Sequence, residues 1–199
     1  MDSHSSVPAI ADDLLARAKI LAQLVAVAWV VFMIDNLLGG SIKQFSVRPR
    51  TFSGLLCIPL SVFLHGNINH LVGNTSFFLI LGSVLMLRGL ADFVIVSLVA
   101  MLADGLGTWL LARDANHIGA SGVLFGYLGF LLLRGYFEDS ILAALATILV
   151  GAFYARYLWG IFPSNPGTSW EGHLFGFIGG ALAARFLETI KATVLTGLF

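Results

Sequence analysis

Charge and sulfur are both scarce in this chain. Only 11% of its 199 residues are charged, and the 11 Lys+Arg balance the 11 Asp+Glu. The charges are scattered, so neither a nucleic-acid surface nor a polybasic lipid-binding tail is indicated. The single cysteine, Cys57, excludes an internal disulfide and any multi-cysteine metal site. It reads as a small buried apolar residue. No His-Glu-x-x-His zinc motif occurs. Internal repeats and low-complexity linkers are missing too, which points to one domain.

What is abundant is apolar surface. Hydrophobic residues make up 58% of the chain, and the mean hydropathy is +0.91. That is an integral membrane composition. A helix needs roughly 20 apolar residues to cross a bilayer, and runs of that kind lie at 20–38, 68–87, 92–112, 118–134, 141–160 and 170–188. The expected fold is therefore an all-α membrane protein of six transmembrane helices. It has a short N-terminal segment at 1–19, a membrane domain at 20–190 and a C-terminal tail at 191–199. Asp12 and Asp13, with no clean small-residue cleavage site after the first apolar run, indicate an anchor rather than a removable signal. Residues 39–64 form a long polar-then-apolar connection whose second half is too short to span. It is expected to lie in the interface or to dip into the membrane.

Polar groups inside spans are costly and therefore informative. His70 and Asn74 stand near the start of the second span, Ser121 at the start of the fourth and His173 at the start of the sixth. Those three helices run in the same direction, which gathers the four side chains at one membrane face. His70 and Asn74 are four residues apart and so share a helix face. His65 and His70 diverge by roughly 140° on a regular helix, which disfavours a metal site using both unless the helix starts between them; no metal is expected.

Gly122, Gly126 and Gly129 form a stripe beside Ser121, and Gly172, Gly176 and Gly180, continued by Ala184, form another beside His173. Small residues at this spacing let helix backbones approach closely, and Gly119 and Gly122 are expected to leave room around Ser121. If the stripes meet, a hydroxyl and an imidazole come within reach, which is what nucleophilic catalysis requires. Ser121 N–H, Asn74 and His70 are the candidate donors for an oxyanion. Glu171 is two residues from His173 and does not share its helix face, so a dyad is expected in place of a triad.

The pieces "HGNINHLVGN" (65–74), "GASG" (119–122) and "GHLFGFIGG" (172–180) resemble, in this order, the rhomboid intramembrane serine proteases. The resemblance covers residues 48 to 186 or so. It implies a rhomboid-like bundle with a membrane-embedded first loop, Ser121 as nucleophile, His173 as general base, and His70 and Asn74 at the oxyanion. It further implies that Gly119 belongs to the loop admitting the scissile bond and that Phe125 supports the histidine with its ring. Gly126, Gly176 and Gly180 would take helix-contact positions. The Trp-Arg pair often found in the first loop is replaced by "SVRPRTFSG".

The implied activity is hydrolysis of a peptide bond in or next to a substrate's transmembrane helix, without a cofactor. The partners would be transmembrane proteins and the lipid bilayer, not nucleic acid. "IFPSNPGTSWE" (161–171) is expected to act as a movable lid. A bacterial plasma membrane with cytoplasmic termini and an outward-facing site fits the family. Charge does not fix that orientation, because inner Arg17, Lys19, Arg88, Arg134, Arg185 and Lys191 face outer Lys43, Arg48, Arg50, Arg113 and Arg156.

Two other function classes are open at this point. A catalytically dead rhomboid-like protein would bind membrane clients, but such a protein would be expected to have lost Ser121 or His173. A small transporter would use Asp104, the one aspartate deep within a span, where Gly105 and Gly107 suggest a weakened helix. That single deep aspartate excludes an aspartyl dyad. Lys19, Lys43 and Lys191 lie at or beyond span ends, against a Ser-Lys dyad, and Val123 stands where a nucleophile elbow needs glycine.

Overall fold

The computed structural model describes residues 7–163 and 167–196, with side chains to residue 193. Helix α1 (Val7–Leu37) leads through a 3₁₀ turn at Ser41–Phe45 into two short helices, α2 (Phe52–Leu56) and α3 (Ile58–Ser61). Next come α4 (Ile68–Leu87), α5 (Leu90–Leu111), α6 (Ser121–Phe137), α7 (Ile141–Tyr154) with a 3₁₀ continuation at Ala155–Ile161, and α8 (Trp170–Thr196). Among the described residues the only extended pairing is an isolated antiparallel bridge between Val47 and His117.

Four segments are long and apolar enough to cross a membrane: α1, α4, α5 and Ile141–Ile161. The 17-residue α6 is shorter, and α8 is long but carries Glu171, His173, Arg185, Glu188 and Lys191. Val30 and Met33 of α1, Leu98 and Leu102 of α5, and Ile148 and Phe153 of α7 point outward. An apolar exterior of this extent is stable only against lipid. The protein is an integral membrane helix bundle.

The helix ends differ from those drawn from hydropathy. α1 runs from Val7: Pro8 falls in its first turn, where a missing N–H costs nothing, and Arg17 pairs with Asp13 one turn back at 2.6 Å. At the other end α8 continues to Thr196, beyond the end of the apolar run at 188. The middle of the expected lid, residues 164–166, lies outside the described residues.

The central helix is α6. Every residue from Gly122 to Leu131 is buried, with α4, α5, α7 and α8 packed around it. At 1.5 Å per residue α6 spans roughly 25 Å, less than the hydrocarbon thickness of about 30 Å. A helix of that length leaves at least one of its ends short of the membrane surface. Glycine makes the packing possible. A methyl group on Gly176 would stand 2.6 Å from the carbonyl carbon of Gly122, and one on Gly180 would stand 2.6 Å from that of Gly126.

The first connection is folded back on the link between α5 and α6. Arg50, held at φ 58°, donates to the carbonyl of Ala112 at 2.9 Å and pairs with Asp114. Trp109 Nε1–H donates to Thr51 O at 2.7 Å, and Arg48 Nε–H to Asn116 Oδ1 at 3.0 Å. Thr51 caps α2 by accepting from Gly54 N–H. α3 rests on α5, where a side chain at Gly105 would collide with Ile58. Cys57 is buried and unpaired among these residues.

At the end of the bundle remote from Ser121, six charges form one neutral network. Arg88 reaches Asp92 (3.2 Å) and Glu138 (2.5 Å), and Arg134 reaches Glu138 (2.6 Å) and Glu188 (2.9 Å). Lys191 closes the set on Asp92 at 2.5 Å. Partial burial works against the Glu138 charge, but the bonds from Arg88 and Arg134 outweigh it and hold its carboxyl below the usual range. A depressed carboxylate contributes stability at neutral pH that is lost as pH falls through its folded value. Glu138→Gln is expected to lower the unfolding temperature by about 2 °C at pH 7, consistent with a partly exposed pair. The difference should vanish near pH 3, as thermal melts of both forms at the two pH values would show.

Candidate functional site

Ser121 is the first residue of α6 and His173 lies in the first turn of α8, and the close approach of these two helices brings them together. Ser121 Oγ stands 2.9 Å from His173 Nε2. His173 Nδ1 is 3.0 Å from the carbonyl oxygen of Gly160, in the 3₁₀ turn after α7. A carbonyl can only accept, so Nδ1 carries the proton and Nε2 presents its lone pair to the hydroxyl. That is the tautomer a general base needs. The Phe125 ring, one turn along α6, stacks on the imidazole with centroids 4.1 Å apart and planes 7° from parallel.

Gly160 belongs to none of the motifs that the sequence offers. Its smallness has a physical reason: a methyl there would meet Phe125 at 2.7 Å and His173 Nδ1 at 3.3 Å. Backbone carbonyls leave no residue-type signal, so only the glycine itself could have marked the place. Glu171 takes no part in orienting His173. It is buried and accepts from Arg113 N–H at 3.4 Å, with the Arg113 side chain 3.8 Å away.

His70 and Asn74 lie one turn apart on α4 and converge on the loop before Ser121. A methyl on Gly119 would stand 2.7 Å from His70 Cε1 and 3.4 Å from Asn74 Nδ2. Gly119 has φ 114°, a backbone angle glycine adopts readily, and its N–H donates to Ser61 O at 2.9 Å. The Asn74 amide faces His65 Nε2 at 3.0 Å, while His65 Nδ1 faces the carbonyl of Phe63 at 3.2 Å. By the same tautomer argument, His65 is the acceptor and Asn74 Nδ2 donates one of its two hydrogens to it. The other remains for the cavity. α4 starts at Ile68, between His65 and His70, and the preceding turn brings the two rings to a 5.1 Å edge-on contact. His65 thus orients Asn74, a role its spacing does not disclose.

Gly122, expected to leave space around the nucleophile, faces space that is already filled. A methyl on Gly122 or Gly172 would run into the Asp104 carboxyl, at 2.7 Å and 2.6 Å from its Oδ1. Asp104 accepts from Thr108 Oγ1–H at 3.2 Å within α5. α5 is unbroken there. Gly107, like Gly105, is a close-approach position, with Phe175 of α8 against its Cα. Of the stripe beside Ser121, Gly129 lies against the backbone of Phe177, and Gly126 against Ala100 as well as Gly176.

Ser121, His173, His70, Asn74, Phe125 and Tyr157 line a cavity of about 750 Å³. Such a site presents a hydroxyl paired with a correctly protonated imidazole, facing side-chain donors and the free N–H groups of a helix start. It has the parts for acyl transfer from a peptide carbonyl.

Comparison with known proteins agrees with the sequence resemblance. The Rhomboid domain family matches residues 52–189. An uncharacterized protein of Mycobacterium tuberculosis is 36% identical over 173 residues, covering 82% of this chain and 72% of that one. A Mycobacterium leprae protein, also uncharacterized, is 34% identical over 172 residues, covering 82% and 68%. A Bacillus subtilis protein bearing the name "Putative rhomboid protease YdcA" is 28% identical over 128 residues, 61% of each chain. With its all-α membrane bundle and the matched domain, the chain belongs to the rhomboid family.

Proposed function

We propose that the protein is a serine endopeptidase of the membrane interior, cleaving peptide bonds within or next to transmembrane helices of other membrane proteins. The observation that carries this reading is the 2.9 Å Ser121–His173 contact with Nδ1 engaged by Gly160. Ser121 Oγ attacks the scissile carbonyl carbon as His173 Nε2 takes its proton. The resulting oxyanion is held by the second Asn74 Nδ2 hydrogen, by His70 and by the N–H groups at the start of α6. Collapse expels the amine, which receives the proton from His173. Water, deprotonated by the same nitrogen, then attacks the acyl carbon, and His173 returns that proton to Ser121 Oγ as the new carboxyl product leaves.

An intact helix satisfies its own carbonyls, so the substrate must unwind to present one. In this reading Ser121, at the head of a short helix, lies below the membrane surface, at the depth of a bond just inside the membrane. The plasma membrane, cytoplasmic termini and an outward-facing cavity complete the reading.

The test is cleavage of a labelled single-pass substrate by purified protein. Ser121→Ala should abolish it, while Asp104→Asn should leave part of it, since Asp104 touches the backbone of both catalytic helices but neither reacting atom. A transporter would show the opposite ranking in a flux assay. Phe125→Leu removes the stacked ring and should lower kcat by about tenfold with little change in KM, in line with small losses of alignment at a reacting centre. Steady-state kinetics on the same substrate would measure it.

A further inference from the structure

His117 lies outside the dyad, yet its position repeats the dyad's own geometry one step back. It stands four residues before Ser121, and Ser169 stands four residues before His173. His117 Nδ1 is 2.6 Å from Ser169 Oγ. Its other ring nitrogen, Nε2, is 3.0 Å from the carbonyl oxygen of Arg113. The carbonyl fixes the proton on Nε2, so Nδ1 accepts and the Ser169 hydroxyl donates.

Backbone bonds tie both residues to the catalytic segments. The carbonyl of Ser169 accepts the N–H of His173 at 3.2 Å. The backbone N–H and C=O of His117 are both bonded to Val47 at 3.0 Å, which holds the approach to the Gly119 loop against the first connection. The imidazole is buried, at 6% exposure, so water competes little for the bond and its loss would leave buried groups unpaired.

We propose that His117 is a positioning residue: through Ser169 it fixes the start of α8 against the segment that delivers Ser121, and so sets the Oγ–Nε2 separation. This rests on reading Ser121 and His173 as the catalytic pair. Arg113 links the same two segments through Thr168 O at 2.5 Å, so the fold does not depend on His117 alone. What His117 adds is alignment of the reacting atoms, where a few tenths of an ångström change the rate.

The experiment uses the full-length protein in detergent, with active sites counted by a fluorophosphonate before substrate is added. Ser169→Ala and His117→Phe are each expected to lower kcat per counted site by about tenfold, leave KM within about twofold, and slow fluorophosphonate labelling in parallel. The double variant should be no slower than either single one, because both remove the same bond. His117→Asn, whose Oδ1 takes the place of Nδ1, should recover much of the rate. His117→Gln should not. A purely structural role would reduce the number of counted sites and the unfolding temperature while leaving kcat per site unchanged; that result in Ser169→Ala, or full additivity in the double variant, overturns the proposal. Wild-type protein that neither labels nor cleaves overturns the protease reading, and this proposal with it.

Discussion

Replacing Ser121 with alanine should reduce cleavage of a transmembrane reporter by at least about 10³-fold, the loss expected when a catalytic serine is removed from a residue set acting as a unit. The change removes one oxygen from a site where Gly122 and Val123 pack tightly behind it, so the fold should survive and the unfolding temperature should hardly move. His173→Ala should cost a similar factor. Combining the two should cost little more, because neither group works without the other. Gel or mass-spectrometric quantification of product against enzyme concentration would resolve all three variants. Losses that multiply instead of saturating would mean that the 2.9 Å contact is not a functional pair.

Gly180→Ala should have the largest effect on the fold. The new methyl would lie 2.6 Å from the carbonyl carbon and 2.9 Å from the Cα of Gly126, and backbone atoms cannot swing aside as a side-chain end can. Helices α6 and α8 must part. Overpacking of this kind costs about 1–3 kcal/mol, and separation by an ångström would also cost on the order of 10² in rate by misplacing His173 from Ser121. Gly151→Ala on α7 is the control, since its methyl meets only Leu132 Cδ2 at an ordinary 3.6 Å. Alanine there should be neutral or slightly stabilising. Thermal unfolding and kcat of the two variants side by side would separate a steric cause from any general intolerance of alanine.

The bundle is legible in the sequence because its signals are of long range and simple period. Apolar runs mark the six helices, and the glycine spacing on α6 and α8 encodes which faces touch. The fourfold spacing of His70 and Asn74 likewise places both on one face by helix geometry alone. Other parts of the site leave no such trace. Gly160 acts through a carbonyl, and His65 acts through a turn before α4 that no helical period describes. His117 and Ser169 meet across 52 residues of sequence.

The surroundings of Asp104 mislead for a different reason. Gly105 and Gly107 suggest a weak helix, but these glycines make room for Ile58 and Phe175. Glycine in a helix signals either looseness or close approach, and only the neighbours decide between them. The helix ends lie beyond 20 and 188 because hydropathy reports where lipid is, not where a helix stops.

The most direct test of the central claim, that Ser121 is a nucleophile activated by His173, is to map a fluorophosphonate adduct by tandem mass spectrometry. The wild-type protein should carry one adduct, on Ser121, with labelling lost in Ser121→Ala and slowed by at least about 10²-fold in His173→Ala. An adduct on a different serine, or labelling of Ser121 at the same rate with and without His173, would contradict it.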